Sequence, residues 1–243
     1  MGMDYRNELK YLVTAPQIAL LQNRVSHLMQ LDSHAGEAGI YNIRSLYFDD
    51  CFDTYMLENE MGTDPREKFR IRIYNGSPER ISLELKKKDH GMTQKLSCPL
   101  TREQCQELMQ GRLLPVSTEY PPVLQKLLLL MRTRRLRPKV IVEYDRVPYV
   151  ERRGNVRVTL DQNIASSGEI HRFLEPQVAK RPILPAGQHI LEVKYDEFLP
   201  DYIRGNLQLK NLRQTAFSKY YLCRKYGRSG GVQRILGGGQ RLV

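Results

Sequence analysis

Residues 68–88, KFRIRIYNGSPERISLELKKK, constrain this chain more than any other stretch. Asn75-Gly76-Ser77-Pro78 carries the chemistry of a tight turn, because Gly tolerates positive φ and Pro fixes its own. Before the turn, Lys68, Arg70, Arg72 and Tyr74 alternate with Phe69, Ile71 and Ile73. After it, Ser82, Glu84, Lys86 and Lys88 alternate with Ile81, Leu83 and Leu85, with Lys87 off the pattern. Successive side chains of a strand point to opposite faces. The stretch therefore reads as a hairpin with one apolar face and one cationic face. One such hairpin is compatible with an ordinary antiparallel pair, core on one side and water on the other. Repetition along the chain is what turns charged faces into a shared lumen.

The pattern does repeat. A strand over 5–13 puts Arg6, Glu8 and Lys10 on one face. Thr14 then sits as an N-cap with Pro16 just inside a helix over 15–31. Further strands read at 40–49 and 92–100, the latter with Thr93, Lys95 and Ser97 aligned. A short helical or irregular stretch fills 51–60. Thr101 with Gln104 resembles a capping box opening a helix over 101–111, and a second helix covers 121–137. Three more strands follow: 139–147 with Tyr144 and Arg146, 155–161 with Arg157, Thr159 and Asp161, and 190–195 with Glu192 and Lys194. Residues 171–187 form an irregular connector, and helices over 201–209 and 215–226 close a single domain spanning 4–226. Residues 227–243 read as a flexible Gly-rich tail.

The charge balance says what such a lumen would hold. The chain of 243 residues carries 38 Lys and Arg against 27 acidic residues, a net charge of +11, which calls for a polyanionic partner. Single-stranded nucleic acid is disfavoured: binders of that class interleave aromatic and basic residues, and here there is no Trp and only 6 Phe. The four cysteines have no CxxC spacing, so neither a metal site nor a disulfide framework is expected. No apolar run approaches the ~18 residues of a membrane span, and the N-terminal stretch has no apolar signal region. A cytoplasmic protein with no transmembrane segment of its own is expected.

A sheet closed into a barrel has a polar interior only where it encloses water or a ligand. Arg and Lys bind phosphate oxygens, and sparse Glu residues offer hard oxygen ligands to Mg²⁺ or Mn²⁺. The alternation by itself admits both a phosphate-binding barrel and an ordinary sandwich. There is no plausible Ser-His-Asp or Cys-His arrangement, and phosphoryl transfer needs none, being mostly positioning and charge neutralisation.

Six short motifs add to this reading: R-x-E-L-K-Y at 6–11, S-L-Y-F-D at 45–49, F-R-x-R-x-Y at 69–74, E-x-K-K-K at 84–88, L-E-V-K-Y at 191–195 and F-S-K-Y at 217–220. In this order they resemble the VTC domain, the polyphosphate polymerase branch of the triphosphate tunnel metalloenzymes, in a stand-alone bacterial-type form. The resemblance implies an α+β fold: an eight-stranded antiparallel β-barrel tunnel with flanking α-helices. It implies transfer of the ATP γ-phosphate to a growing inorganic polyphosphate chain with Mn²⁺ or Mg²⁺. The partners would then be ATP and inorganic polyphosphate, with no nucleic acid. Matched by motif, Arg70 and Arg72 clamp nucleotide phosphates, with Lys86 and Lys95 beside them. Lys10, Tyr144, Arg146 and Arg157 add contacts, Ser218 and Lys219 reach in from the last helix, and Glu192 holds the metal. Two positions depart from the pattern. Arg6 stands where tunnel hydrolases carry the first Glu of ExExK, and Ala216 stands where polymerases often carry Lys. A tunnel triphosphatase and a binding module without turnover are the alternatives.

Overall fold

In the computed structural model, residues 5–208, 212 and 214–228 are described. Strand β1 (Asn7–Thr14) leads into α1 (Ala15–Ser26), the short β2 (Gln30–Leu31), β3 (Tyr41–Asp49) and α2 (Thr54–Glu60). The hairpin is β4 (Arg66–Tyr74) and β5 (Ser77–Asp89), followed by β6 (Met92–Pro99), α3 (Arg102–Met109) and α4 (Pro122–Thr133). Then come β7 (Arg137–Glu151), β8 (Val156–Ser167), the short β9 (Arg181–Pro182), β10 (Gln188–Tyr195), α5 (Asp201–Leu207) and α6 (Lys219–Arg228).

Eight strands form one antiparallel path, β1-β10-β8-β7-β3-β4-β5-β6, with β2 and β9 paired to β7 and β8. The sheet curls until its two edges touch, but it is not the closed eight-stranded barrel expected from the sequence, since β1 and β6 remain the two ends of the strand path. Closure differs from a continuous ladder. Arg6 and Thr93 form a single bridge, with reciprocal backbone bonds of 2.9 and 3.0 Å. The competing partner explains the gap. Further along β1, the Thr215 amide donates to the Lys10 carbonyl at 2.9 Å, and Tyr11 bridges Gln214. Those edge groups are then no longer open to β6.

The apolar core lies outside the curled sheet. Ile18, Leu21 and Val25 of α1 and Ile203 of α5 pack on Val158, Leu191 and Val193 of the sheet. On the other side, α3, α4 and α6 cover Phe69, Ile71, Leu83 and Leu85. The hairpin register pairs Lys68 with Lys86, Arg70 with Glu84 and Arg72 with Ser82, so the charged row of each strand faces inward together. Its turn places Asn75 at φ 52° and Gly76 at φ 64°, the left-handed pair that hairpin twist favours.

Several boundaries differ from the sequence expectation. The first helix ends at Ser26, ahead of residue 31, because the chain must extend to pair β2 with β7. Helix α4 stops at Thr133. Arg135 is left-handed at φ 55°, and Arg137 precedes Pro138, a position that resists helix. The last helix starts at Lys219, four residues later than expected from 215, since the preceding segment is extended against β1. That helix runs to Arg228, two residues into the tail expected over 227–243, and the rest of that stretch lies outside the described residues.

Leu83 is fully buried on the outer face of β5. Leu83→Ala should lower the unfolding free energy by about 3 kcal/mol in urea denaturation. A loss under about 1 kcal/mol would contradict an exterior core.

Candidate active site

The inward rows meet in three clusters, each built around buried carboxylates. In the first, Glu84 lies 2.6 Å from Arg70, 3.5 Å from Arg72 and 3.5 Å from Lys95. Arg70 also donates to the Tyr47 hydroxyl at 2.8 Å, and Arg72 to Ser45 Oγ at 3.2 Å. In the second, Asp161 accepts both Arg146 Nε and Nη2, at 2.6 and 2.8 Å, and lies 2.6 Å from Lys219. Glu192 sits beside this pair, 2.8 Å from Lys194, 3.5 Å from Lys219 and 3.7 Å from Arg146. The Tyr144 ring floors the cluster, 4.8 Å from Lys219 Nζ and 5.3 Å from the Arg146 guanidinium carbon. In the third, Glu8 pairs with Lys86 at 2.6 Å and Lys10 at 3.4 Å.

A central cavity of about 60 Å³ joins the three clusters, lined by eight cations against Glu8 and Glu192 as its carboxylates. Of the residues expected from sequence, Lys10, Arg70, Arg72, Lys86, Tyr144 and Arg146 line it. So do Glu192, Ser218 and Lys219. Lys95 and Arg157 are displaced to one mouth, a cavity of about 270 Å³. There Arg157 pairs with Asp32 and donates to the Tyr41 hydroxyl at 3.3 Å. Sequence reasoning did not single out Glu8, Lys68, Tyr47, Asp161 or Lys194 as site residues. The usable signal for four of them was the charged face that alternation gives Glu8, Lys68, Asp161 and Lys194; the structure adds the register, in which Glu8 opposes Lys194, Lys68 opposes Lys86 and Asp161 opposes Arg146.

The opposite mouth, about 400 Å³, is formed by the start of α6. Ser218 caps that helix: its Oγ accepts the Tyr221 amide at 3.3 Å and also lies 3.4 Å from Lys68 Nζ. Lys10 Nζ donates to the Phe217 carbonyl at 3.1 Å. The positive end of the helix dipole thus points at the lumen. The helix is fixed from behind, where the Tyr220 hydroxyl donates to Asp49, Arg224 pairs with Asp53, and the Tyr221 hydroxyl reaches Glu60 at 2.7 Å. Asp49 also accepts the amides of Asp50, Tyr55 and Met56, so the acidic pair at 49–50 caps a loop as a structural element.

The lumen is electrostatically one-sided. Burial depresses Lys68 far below the ordinary ammonium range, and Lys86, Lys10 and Arg70 press it further down. Burial also lowers Lys86, to about 7, although the Glu8 carboxylate works against that. Burial alone would raise the carboxylates, yet the cations win at each. Lys10 and Lys86 take Glu8 down to about 2, and Arg70, Arg72 and Lys95 hold Glu84 far below its usual range. Arg146 and Lys219 do the same for Asp161.

Glu8 and Glu192 line the central cavity from the paired strands β1 and β10, and the like charge of Glu192 works against the cations that hold Glu8 ionised. Opposite Glu192 in the β8–β10 register, the Thr159 hydroxyl oxygen is buried without a hydrogen-bond partner. No group of three or more His, Cys, Asp or Glu residues suited to a metal occurs among the described residues. Two adjoining carboxylates nevertheless fit Mg²⁺ or Mn²⁺, which bind through one or two carboxylates and complete their shells with water and substrate phosphates. Among the described residues, no helix is long and apolar enough to cross a membrane.

The depressed carboxylates set a pH dependence. Stability from Glu84 and Asp161 is fully present above the ordinary carboxylate pKa near ~4 and is lost as pH falls below it towards their folded values. Chemical denaturation should show a steep fall in unfolding free energy between about pH 4 and 2. Glu84→Gln should cost about 3 kcal/mol at pH 7, by leaving buried guanidinium groups unpaired. It should also flatten the acid slope; an unchanged slope would show that the Glu84 cluster does not set it.

No curated protein matches the sequence. Among solved structures, the chain is similar to a Hippeastrum protein, described as a candidate adenylyl cyclase with a dominant triphosphatase activity. The two share 14% identity at a TM-score of 0.53, with 91% of this chain and 96% of that one covered. A Bacillus halodurans protein described as a candidate adenylate cyclase is similar at 16% identity and a TM-score of 0.46, covering 86% of this chain and 88% of that one. PH1819 protein from Pyrococcus horikoshii OT3 is similar at 15% identity and a TM-score of 0.48, covering 91% and 99%. The Hippeastrum likeness supports the triphosphate tunnel fold. The family described as VTC domain matches residues 5–226, nearly all of the sequence, and the chain belongs to that family.

Proposed function

We propose that this protein transfers the γ-phosphate of ATP to a growing inorganic polyphosphate chain inside the basic tunnel. One observation carries the reading. The central cavity presents eight cations against two carboxylates, and half-buried Lys68 has its ammonium depressed by desolvation and then by the neighbouring cations. Such a lining is unfavourable when empty and favourable around a dense polyanion.

In this reading Arg70 and Arg72 hold the nucleotide phosphates from the hairpin. Lys219 and Arg146 hold the transferred group from the opposite wall, over Tyr144. Lys10, Lys68 and Lys86 steady the attacking chain near the α6 mouth, where Ser218 and the helix start supply further donors. A terminal oxygen of polyphosphate attacks the γ-phosphorus, the bond from that phosphorus to the β–γ bridging oxygen breaks, and ADP leaves with the electron pair. The attacking oxygen is already ionised at neutral pH, so no general base is needed. Mn²⁺ or Mg²⁺ held by Glu8 and Glu192 would supply neutralisation of charge on the β- and γ-oxygens.

Incubation with ATP and Mn²⁺ followed by gel staining should give polyphosphate. Arg72→Ala should reduce product by at least ~100-fold, the size of loss typical for a preorganised charge-stabilising donor. Its melting temperature should shift by only a few degrees, since Glu84 keeps Arg70 and Lys95. Phosphate release without polymer would point to a triphosphatase. Tight polyphosphate binding with no ATP consumption would point to a binding module.

A further inference from the structure

Beyond the mouth at Arg157 and Lys95, the tunnel widens into a cavity of about 500 Å³, a size that holds small organic ligands. Its wall differs from the lumen. Tyr41 at the start of β3 and Tyr74 at the end of β4 meet edge to face, with ring centroids 5.7 Å apart and planes at 68°. Tyr41 is buried at 6% exposure, whereas Tyr74 is half-buried, so Tyr74 is the ring with surface to offer. The hairpin turn adds an amide and a hydroxyl beside it. Asn75 Oδ1 is taken by the Asn42 amide at 2.9 Å, which leaves its NH₂ as a donor, and Ser77 also lines the cavity. Among the described residues, the mouth at α6 has Phe217 as its sole aromatic lining residue.

We propose that this vestibule seats the nucleoside of a nucleoside 5′-triphosphate, its base stacked on Tyr74, with the phosphates running inward to the lumen. The inference rests on the triphosphate reading above and adds to it the substrate's orientation and class. Cations mark the route continuously. Lys95 and Arg157 line both vestibule and mouth, and Arg70 and Arg72 line both mouth and centre. Every base offers a π-face, and stacking on an aromatic side chain favours it strongly. Inorganic phosphate chains have no such face. Tyr74 therefore separates a nucleotide from polyphosphate in a way that the arginines and lysines cannot.

Calorimetric titration of the full chain with β,γ-imido-ATP and with inorganic tripolyphosphate, both without divalent metal, tests this. Tyr74→Ala should weaken the nucleotide roughly tenfold or more, the loss expected for one stacked base. It should leave tripolyphosphate within about twofold of wild type, on the principle that distant charge contacts are unaffected. Tyr74→Phe, which keeps the ring, should bind both ligands as wild type does. Equal weakening of both ligands in Tyr74→Ala, or no weakening of the nucleotide, would overturn the nucleoside site while the tunnel reading stands. Wild-type protein that binds neither ligand would overturn both.

Discussion

Four buried carboxylates make a cationic tunnel compatible with a folded chain. Glu8, Glu84, Asp161 and Glu192 each lie against two or more Lys or Arg side chains. Without them, the guanidinium and ammonium groups of facing strands would repel one another in a poorly solvated space. Buried ion pairs of this kind contribute little net stability against an apolar alternative, but removing one partner is costly. The pairing is also incomplete by design of the sequence. Lys68 faces Lys86 across the hairpin and finds Ser218 and the Tyr220 ring, the latter 5.8 Å away. The residual positive charge is what an anionic substrate meets.

A polar interior has an architectural consequence. The period-two pattern that sends charge inward sends Ile71, Leu83, Val158 and Val193 outward, where they need cover. Helices α1 and α5 cover one flank, and α3, α4 and α6 the other. The core and the site therefore occupy opposite faces of the same strands. Substitutions in the lumen can change chemistry with little loss of packing, and substitutions outside do the reverse.

The sequence disclosed the faces better than the distances. Alternation in 68–88 was enough to align Arg70, Arg72 and Lys86, because a strand leaves each side chain only two directions. The order of motifs then placed Glu192 and Lys219 in the same site, far apart in the chain. Asp161 and Lys194 lay on legible faces, yet which cation each would touch depends on the register of β8 against β7 and β10, a tertiary property. The displacement of Arg157 to a mouth has the same origin. Capture of the β1 edge by residues 214–215 could not be read locally either, since neither segment alone signals the pairing. Helix ends were misplaced where a left-handed residue such as Arg135, or an N-cap such as Ser218, decided the boundary.

The closing contacts join residues very distant along the chain: Lys10 to Phe217 spans 207 positions, and Arg6 to Asp196 spans 190. Contacts of such separation carry the largest loop-closure entropy and belong to slow, late steps of folding. The lumen thus needs both ends of the chain in place. A polyanion that fits it has nothing equivalent to bind beforehand. Its binding energy is added to the native state by mass action and appears chiefly as slower unfolding, leaving the rate of folding nearly untouched.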